Sequence, residues 1–320
     1  MRSAVLTGPG RIELIGGLPA PLLGNDVRIA VEGCGVCGSN LPVWQGRPWF
    51  DYPLPPGRPG HEAWGHVEDA GSSDLCVGQR VAVLADDAFR DSLVVPVDRV
   101  VPLPPELDGQ PFPGEALGCA FNVTRRSGFA PGQDVAVVGV GFLGALVVAL
   151  AAQAGARVIA LARKPSALEV ARSMGAKETV LMDDHERVLR AVRELTGDAL
   201  CPRVVEVTGA AWPLDLAGEL TGVGGRLVIA GFHQDGLRSV NVQLWNWRGI
   251  DVVNAHERDP LVSMQGMTEA VEAVSSGRLD PRPLYTHRYP LDRLDDAMST
   301  ADERPDGFVK ALVLTTGVSP

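Results

Sequence analysis

Two short segments near the start of the chain carry side chains able to do chemistry: Gly35-Val36-Cys37-Gly38-Ser39-Asn40 and Gly60-His61-Glu62. A cysteine thiolate, an imidazole and a carboxylate are all competent zinc ligands, and a catalytic zinc needs three protein ligands with one position left open. A lone Cys or a lone His is more often a buried bystander. A third segment, Gly139-Val140-Gly141-Phe142-Leu143-Gly144, has its glycines in the GxGxxG spacing. In such a loop the first glycine permits a tight turn, the second lets the backbone approach a pyrophosphate, and the third lets a helix pack closely on a strand. The free N–H groups and positive dipole end of the helix that opens there favour a phosphate.

These segments need elements to hold them in place. The run DVAVV directly precedes the glycine loop, and a helical pattern follows from about Leu143. RVIALAR, a helix over Ala167 to Met174, and ETVL come next, which is βαβαβ and predicts a parallel sheet covered on both faces. VVEVTG, GRLVIAGF and IDVVNA continue it. The first third is different: short β-branched runs such as VRIAVEG and QRVAVLA alternate with Gly, Pro and Asp, the pattern of a small antiparallel barrel. After Arg282 the chain returns to loop and strand character, ending in the strand VKALVLT. The expected organisation is a barrel from residues 1–122 and 285–320, with residues 123–284 forming a doubly wound Rossmann domain between them.

The second Rossmann strand selects the dinucleotide. NAD sites usually end this strand with an acid that bonds the ribose 2′-hydroxyl, whereas this one runs Ala162-Arg163-Lys164. Two cations and no acid suit a 2′-phosphate, so NADP(H) is expected over NAD(H); the plainer alternative is a solvated basic turn.

Composition narrows the function further. At 320 residues the chain can bury two ordinary cores, and 45% hydrophobic with 21% charged residues is the balance of a folded protein. A formal charge of -10 disfavours broad nucleic-acid or anionic-membrane surfaces. No apolar run is built to span a bilayer and the start lacks a secretory apolar region. Five cysteines, an odd number, argue for reduced thiols and a cytoplasmic setting.

GCGVCGSN, PGHEAWG and GEALGCAFNVTRRSG, in that order ahead of the Rossmann strand, resemble the medium-chain dehydrogenase/reductase family, the zinc-containing alcohol, polyol and threonine dehydrogenases. The resemblance covers essentially the whole chain. It implies an α/β protein with a GroES-like catalytic β-barrel and a Rossmann domain, one catalytic zinc, and hydride transfer between NADP(H) and an alcohol or ketone. By position Cys37 and His61 match the first two zinc ligands, and Glu62 matches the carboxylate that ligates zinc in some members. Glu115 matches the third ligand of the polyol type, with Cys119 as its rival one helical turn on. Ser39 matches the hydroxyl that passes the substrate proton outward; a turn serine is the alternative. Gly139, Gly141, Phe142, Leu143, Gly144, Arg163 and Lys164 match the cofactor site.

Three departures qualify the match. QRVAVLADDAFRDSLV, where the family's four-cysteine structural zinc loop falls, has no cysteine, so no structural zinc is expected. Asn40 stands where the family usually has Asp, and Pro42 where many members have a proton-relaying His, leaving Ser39, the cofactor ribose or water to end any relay. Trp44, Trp49 and Phe50 could line a substrate pocket or pack the barrel. Cys34 and Cys119 read as small buried thiols, His66 as a strand-surface residue, and His256 and His287 as structural or interface residues. WNWRGIDVVNA, an aromatic segment entering a late strand, suggests a homodimer paired along the Rossmann sheet edge. Two other readings stand beside the zinc enzyme: a metal-free NADPH-dependent reductase of an activated C=C or imine bond, and a non-catalytic NADPH-binding protein.

Overall fold

The computed structural model describes residues 1–315. Its contacts fall into two compact units, one made of Met1–Gly118 with the segment from Asp259 onward, the other of Cys119–Arg258.

The first unit is organised by the strand Asp26–Gly35. Val27, Ile29 and Val31 are buried while Arg28, Ala30 and Glu32 between them are half-buried, the period-2 pattern of a strand with one face on a core. Around it run His287–Pro290, Ala311–Leu314, Asp26–Gly35, Ala63–Asp69, Arg80–Val83 and Val100–Pro102 in hydrogen-bonded order, with Ser92–Pro96 pairing the same central strand. The last strand among the described residues, Ala311–Leu314, lies antiparallel to the central one with Val313 opposite Cys34, so late residues complete the early barrel. Helix Leu294–Glu303 turns Leu294, Ala297, Met298 and Ala301, at helical spacing, into the core that also holds Val27 and Ile29. Gly33 and Gly35 allow a close crossing: a Cβ on Gly33 would lie 2.4 Å from the Trp64 ring, and one on Gly35 1.8 Å from Glu62 Oε2. The missing side chain at Gly35 is thus the space that Glu62 occupies.

Helix Pro260–Ser275 also belongs to this unit, where a Cβ on Gly118 would meet the Met267 nitrogen at 2.7 Å. By contacts this helix groups with the first unit.

The second unit is a six-stranded parallel sheet in the order Glu178–Leu181, Arg157–Ala162, Asp134–Val138, Cys201–Glu206, Thr221–Ile229, Asp251–Asn254. Numbered along the chain this is 3-2-1-4-5-6, the doubly wound order, whose switch point lies between Asp134–Val138 and Cys201–Glu206. Val135 through Val138 are fully buried, as expected of a strand covered on both faces. Helix Phe142–Gln153 is apolar nearly all round and is accordingly buried along most of its length. No helix among the described residues is long and apolar enough to cross a membrane.

Candidate active site

Past Gly35 the central strand gives way to a short turn that carries Cys37 and Ser39, then helix Leu41–Trp44. His61 and Glu62 immediately precede strand Ala63–Asp69, which pairs with the central strand and brings the two motifs together. The ligand-type atoms of Cys37, His61 and Glu62 lie within 4.8 Å of one another, close enough to converge on one small cation.

The His61 ring is oriented for such a role. Nδ1 lies 2.9 Å from the Pro59 carbonyl, which can only accept, so Nδ1 carries a proton and Nε2 is the nitrogen a cation would take in exchange for its proton. Nε2 faces Ser39 Oγ at 3.4 Å. Burial works against protonation of His61, but the Cys37, Glu115 and Glu62 charges outweigh it and push its pKa up to about 10. A pocket that strains to keep an imidazole protonated is one with surplus negative charge, the chemistry of a cation site.

Asn40, buried, stitches the two motif loops. Its Oδ1 accepts from the Cys37 N–H at 2.9 Å and its Nδ2 donates to the Pro59 carbonyl at 3.0 Å. The carbonyl that orients His61 therefore also anchors Asn40.

Glu62 is fully buried and meets a cation that sequence reasoning missed. Lys310, from the residue ahead of the last strand, sets its Nζ 2.6 Å from Oε1 and 2.5 Å from Oε2, with both side chains almost wholly buried. Of the two Glu62 oxygens Oε1 accepts its hydrogen bond, while Oε2 is buried without one. That spare lone pair is what a second cation would take, so the donor set fits a zinc ion. Burial opposes the Lys310 charge, yet Glu62, Cys37 and Glu115 more than offset it and hold its pKa above the ordinary lysine value.

Glu115 sits in the first turn of helix Gly114–Ser127. It stands outside the tight group of Cys37, His61 and Glu62, but its charge reaches both His61 and Lys310. Cys34 is buried in the barrel core, where desolvation raises its thiol pKa strongly and keeps it neutral. Cys119 is half-buried on the same helix as Glu115. Trp44 packs in the barrel core, while Trp49 is 48% exposed with its ring 6.0 Å from that of Phe50. His66 pairs with Glu32 at 2.8 Å on the barrel, and His287 lies against Phe308 with ring centres 5.3 Å apart; neither joins the cluster. His256 stacks obliquely on Phe232 in the second unit.

The glycine loop follows its expected division of labour. Gly139 has φ +105°, and a Cβ on it would lie 2.5 Å from Thr208 Cγ2. A Cβ on Gly144 would meet the Gly139 carbonyl oxygen at 2.0 Å, so the helix can approach its strand only through a glycine. Around Gly141 nothing lies within 4 Å of where a Cβ would be; this is the open cradle a pyrophosphate needs. Gly141 is the N-cap of this helix and makes no side-chain cap bond, so the helix N-terminus opens at the cradle. Arg163 and Lys164, both exposed, follow directly on strand Arg157–Ala162, with Lys164 capping the next helix.

Comparison with known proteins agrees with this geometry. Residues 24–105 match the alcohol dehydrogenase GroES-like domain and residues 143–274 the zinc-binding dehydrogenase domain. A sorbitol dehydrogenase of Bacillus subtilis is 26% identical over 98% of this chain and 97% of its own length. An L-galactonate-5-dehydrogenase of Escherichia coli is 26% identical over 84% of this chain and 86% of its own. Among solved structures, a putative zinc-binding dehydrogenase from Sinorhizobium meliloti bound to NADP superposes with TM-score 0.83 at 26% identity, covering 98% of each chain. The two domain matches together span about two-thirds of the sequence in the order seen in the fold. With its GroES-like barrel, its Rossmann sheet and these dehydrogenase relatives, the chain belongs to the medium-chain dehydrogenase/reductase family of zinc-type alcohol and polyol dehydrogenases.

Proposed function

We propose that this protein interconverts a secondary alcohol, of the polyol or sugar-acid class, with its ketone, using one zinc ion and NADP(H). The observation that carries the reading is the convergence of Cys37, His61 and Glu62 beside an imidazole whose Nδ1 proton is already engaged. Cys37 and His61 are the ligands, with Glu115 as the third and Glu62 beside or on the ion. Zinc bound there supplies Lewis acidity that lowers the pKa of a bound hydroxyl, and NADP(H) supplies the hydride carrier. Ser39 Oγ accepts the hydroxyl proton of an alcohol as it passes its own proton on to the cofactor ribose or water, and the relay runs in reverse on reduction of a ketone. Pro59 and Asn40 keep the His61 ring turned so that Nε2 is available. Arg163 and Lys164 pair with a 2′-phosphate, which supports NADP(H) over NAD(H), as does the bound NADP of the Sinorhizobium meliloti relative. The substrate class follows the printed names of the relatives, sorbitol and galactonate dehydrogenases among them.

The same reading includes a single zinc, since residues 79–94 offer no cysteine for a second. It includes a homodimer formed along the edge strand Asp251–Asn254, where Val252 is 41% and the preceding Trp247 88% exposed. It also includes a cytoplasmic setting, which the five free thiols support.

The test is Cys37→Ala. Zinc content and reduction of a panel of keto-sugars, cyclic ketones and aromatic aldehydes should both be lost, with NADPH affinity nearly unchanged. Ser39→Ala should retain zinc and slow turnover by about a hundredfold or more, the effect of losing a positioned proton-transfer group. A Cys37→Ala protein that reduces the same substrate at the wild-type rate rejects the zinc mechanism.

A further inference from the structure

Glu206 ends strand Cys201–Glu206 fully buried, yet four donors take up its carboxylate. They are the N–H groups of Thr208 at 2.5 Å and Gly209 at 3.0 Å, the Thr208 hydroxyl at 2.5 Å, and His233 Nε2 at 3.0 Å. A carboxylate only accepts, so Nε2 carries the His233 proton and Nδ1 presents a lone pair. That lone pair accepts the Arg238 Nε–H at 3.1 Å. Arg238 donates in turn to the Gly209 carbonyl at 3.1 Å and pairs with Asp235. Three stretches of backbone, 206–209, 231–233 and 235–238, are therefore tied through one imidazole whose tautomer is set at both nitrogens. There is no slack between them: a Cβ on Gly231 would lie 2.2 Å from the Gly209 nitrogen and 2.6 Å from Glu206 Oε2.

The place of this network in the sheet gives it a task. Gly139 abuts Thr208, so the glycine loop and the Glu206 segment are neighbours across the switch point. A dinucleotide in a doubly wound sheet crosses the strand ends there, with its adenosine ribose at the turn after the second strand. In this chain that turn is Arg163-Lys164, on one side of the glycine loop. The nicotinamide half then falls on the other side, over the carboxyl ends of Cys201–Glu206 and Thr221–Ile229, where the tied stretches lie.

We propose that His233 is a positioning residue for the nicotinamide half of the cofactor: locked between Glu206 and Arg238, it holds the Gly209 and Gly231–Phe232 backbone as the surface on which that half rests. The proposal builds on the dinucleotide reading above. It is tested by measuring dissociation constants of NADPH, NADH and the adenosine fragment 2′,5′-ADP on the full chain, for wild type, His233→Ala and His233→Gln. The Gln side chain can donate to Glu206 and accept from Arg238, so it restores both bonds. In His233→Ala the better-bound dinucleotide should weaken about tenfold, the effect of losing roughly one hydrogen bond to a charged group, while 2′,5′-ADP changes less than about twofold and Gln recovers most of the loss. Equal loss of dinucleotide and fragment, or no loss of either, overturns the proposal. A wild-type protein that binds neither dinucleotide overturns the cofactor reading itself, and the role of His233 with it.

Discussion

Replacing Lys310 by Met removes one charge of a buried pair and little of its volume. Nζ lies 2.5 Å and 2.6 Å from the two Glu62 oxygens, and the side chains are 4% and 1% exposed, so no water can substitute for the ammonium. At an effective dielectric of about 20, the attraction at this separation is about 6 kcal/mol. Desolvating the two ions costs several kcal/mol each, so the intact pair gains little over an apolar couple. The single variant is another matter, because it strands the Glu62 carboxylate beside Cys37 and Glu115 with its burial cost unrelieved. Lys310→Met should therefore destabilise the metal-free protein by about 3–5 kcal/mol. The double variant Lys310→Met with Glu62→Gln should recover most of this. Zinc should also rescue the single variant more than the wild type, since a ligand at a hundred times its dissociation constant adds about 2.7 kcal/mol, and the freed carboxylate makes that constant smaller. Urea unfolding of chelator-treated and zinc-loaded protein reads all of these effects. A metal-free single variant within about 1 kcal/mol of wild type, or a double variant no better than the single, would refute the argument that an uncompensated charge lies at this point.

Other expectations follow from the same geometry. Gly144→Ala should lose both stability and cofactor binding because its methyl has no room against Gly139, whereas Gly141→Ala should unfold within about 0.5 kcal/mol of wild type and still bind NADPH at least about tenfold more weakly; unfolding curves and fluorescence titration separate the two. Arg163→Ala should reduce the preference for NADPH over NADH by about tenfold, one charge-assisted contact, measured by the same titration. Glu115→Ala should weaken zinc retention against a chelator while Cys119→Ala leaves it unchanged; the reverse result would give the third ligand to the cysteine. Cys201, buried, has its thiol pKa raised by desolvation, from 9.0 to about 12. The unfolded chain loses this proton first, so stability is intact below about pH 9 and should then fall by up to about 1.4 kcal/mol per pH unit. Cys201→Ala should flatten that decline in unfolding midpoints between pH 8 and 10.

Much of this was legible in the residues, and what was not has physical reasons. The glycine loop announces itself because its three roles are local, each set by neighbours a few positions away. Cys37, His61 and Glu62 are legible as types, since few side-chain combinations bind zinc. Lys310 is different: it opens an apolar strand, and its partner lies 248 positions earlier, a distance no periodicity encodes. A lone cation in VKALVLT was the available signal, because a charge in a buried strand demands an opposite one. His233 and Arg238 were hidden by GFHQDGLRSVN, a composition that reads as an ordinary polar turn. Asn40 was recognised as unusual, but not as the clamp between the Cys37 and Pro59 backbones. Trp44, an even choice between pocket and core on sequence, packs in the core because helix Leu41–Trp44 lies against helix Leu294–Glu303, which the sequence places far away.

The way the barrel is closed has a consequence for how this protein is made. Glu62 emerges from the ribosome early, but its counter-charge is carried by a residue just ahead of the final described strand, and that strand seats itself on Asp26–Gly35. Until then a growing chain can collapse its first strands only around an unneutralised carboxylate, or leave that corner wet. Closure of the barrel and charge neutrality of the site are thus one event, and a truncation ahead of Lys310 should yield a chain that cannot complete either.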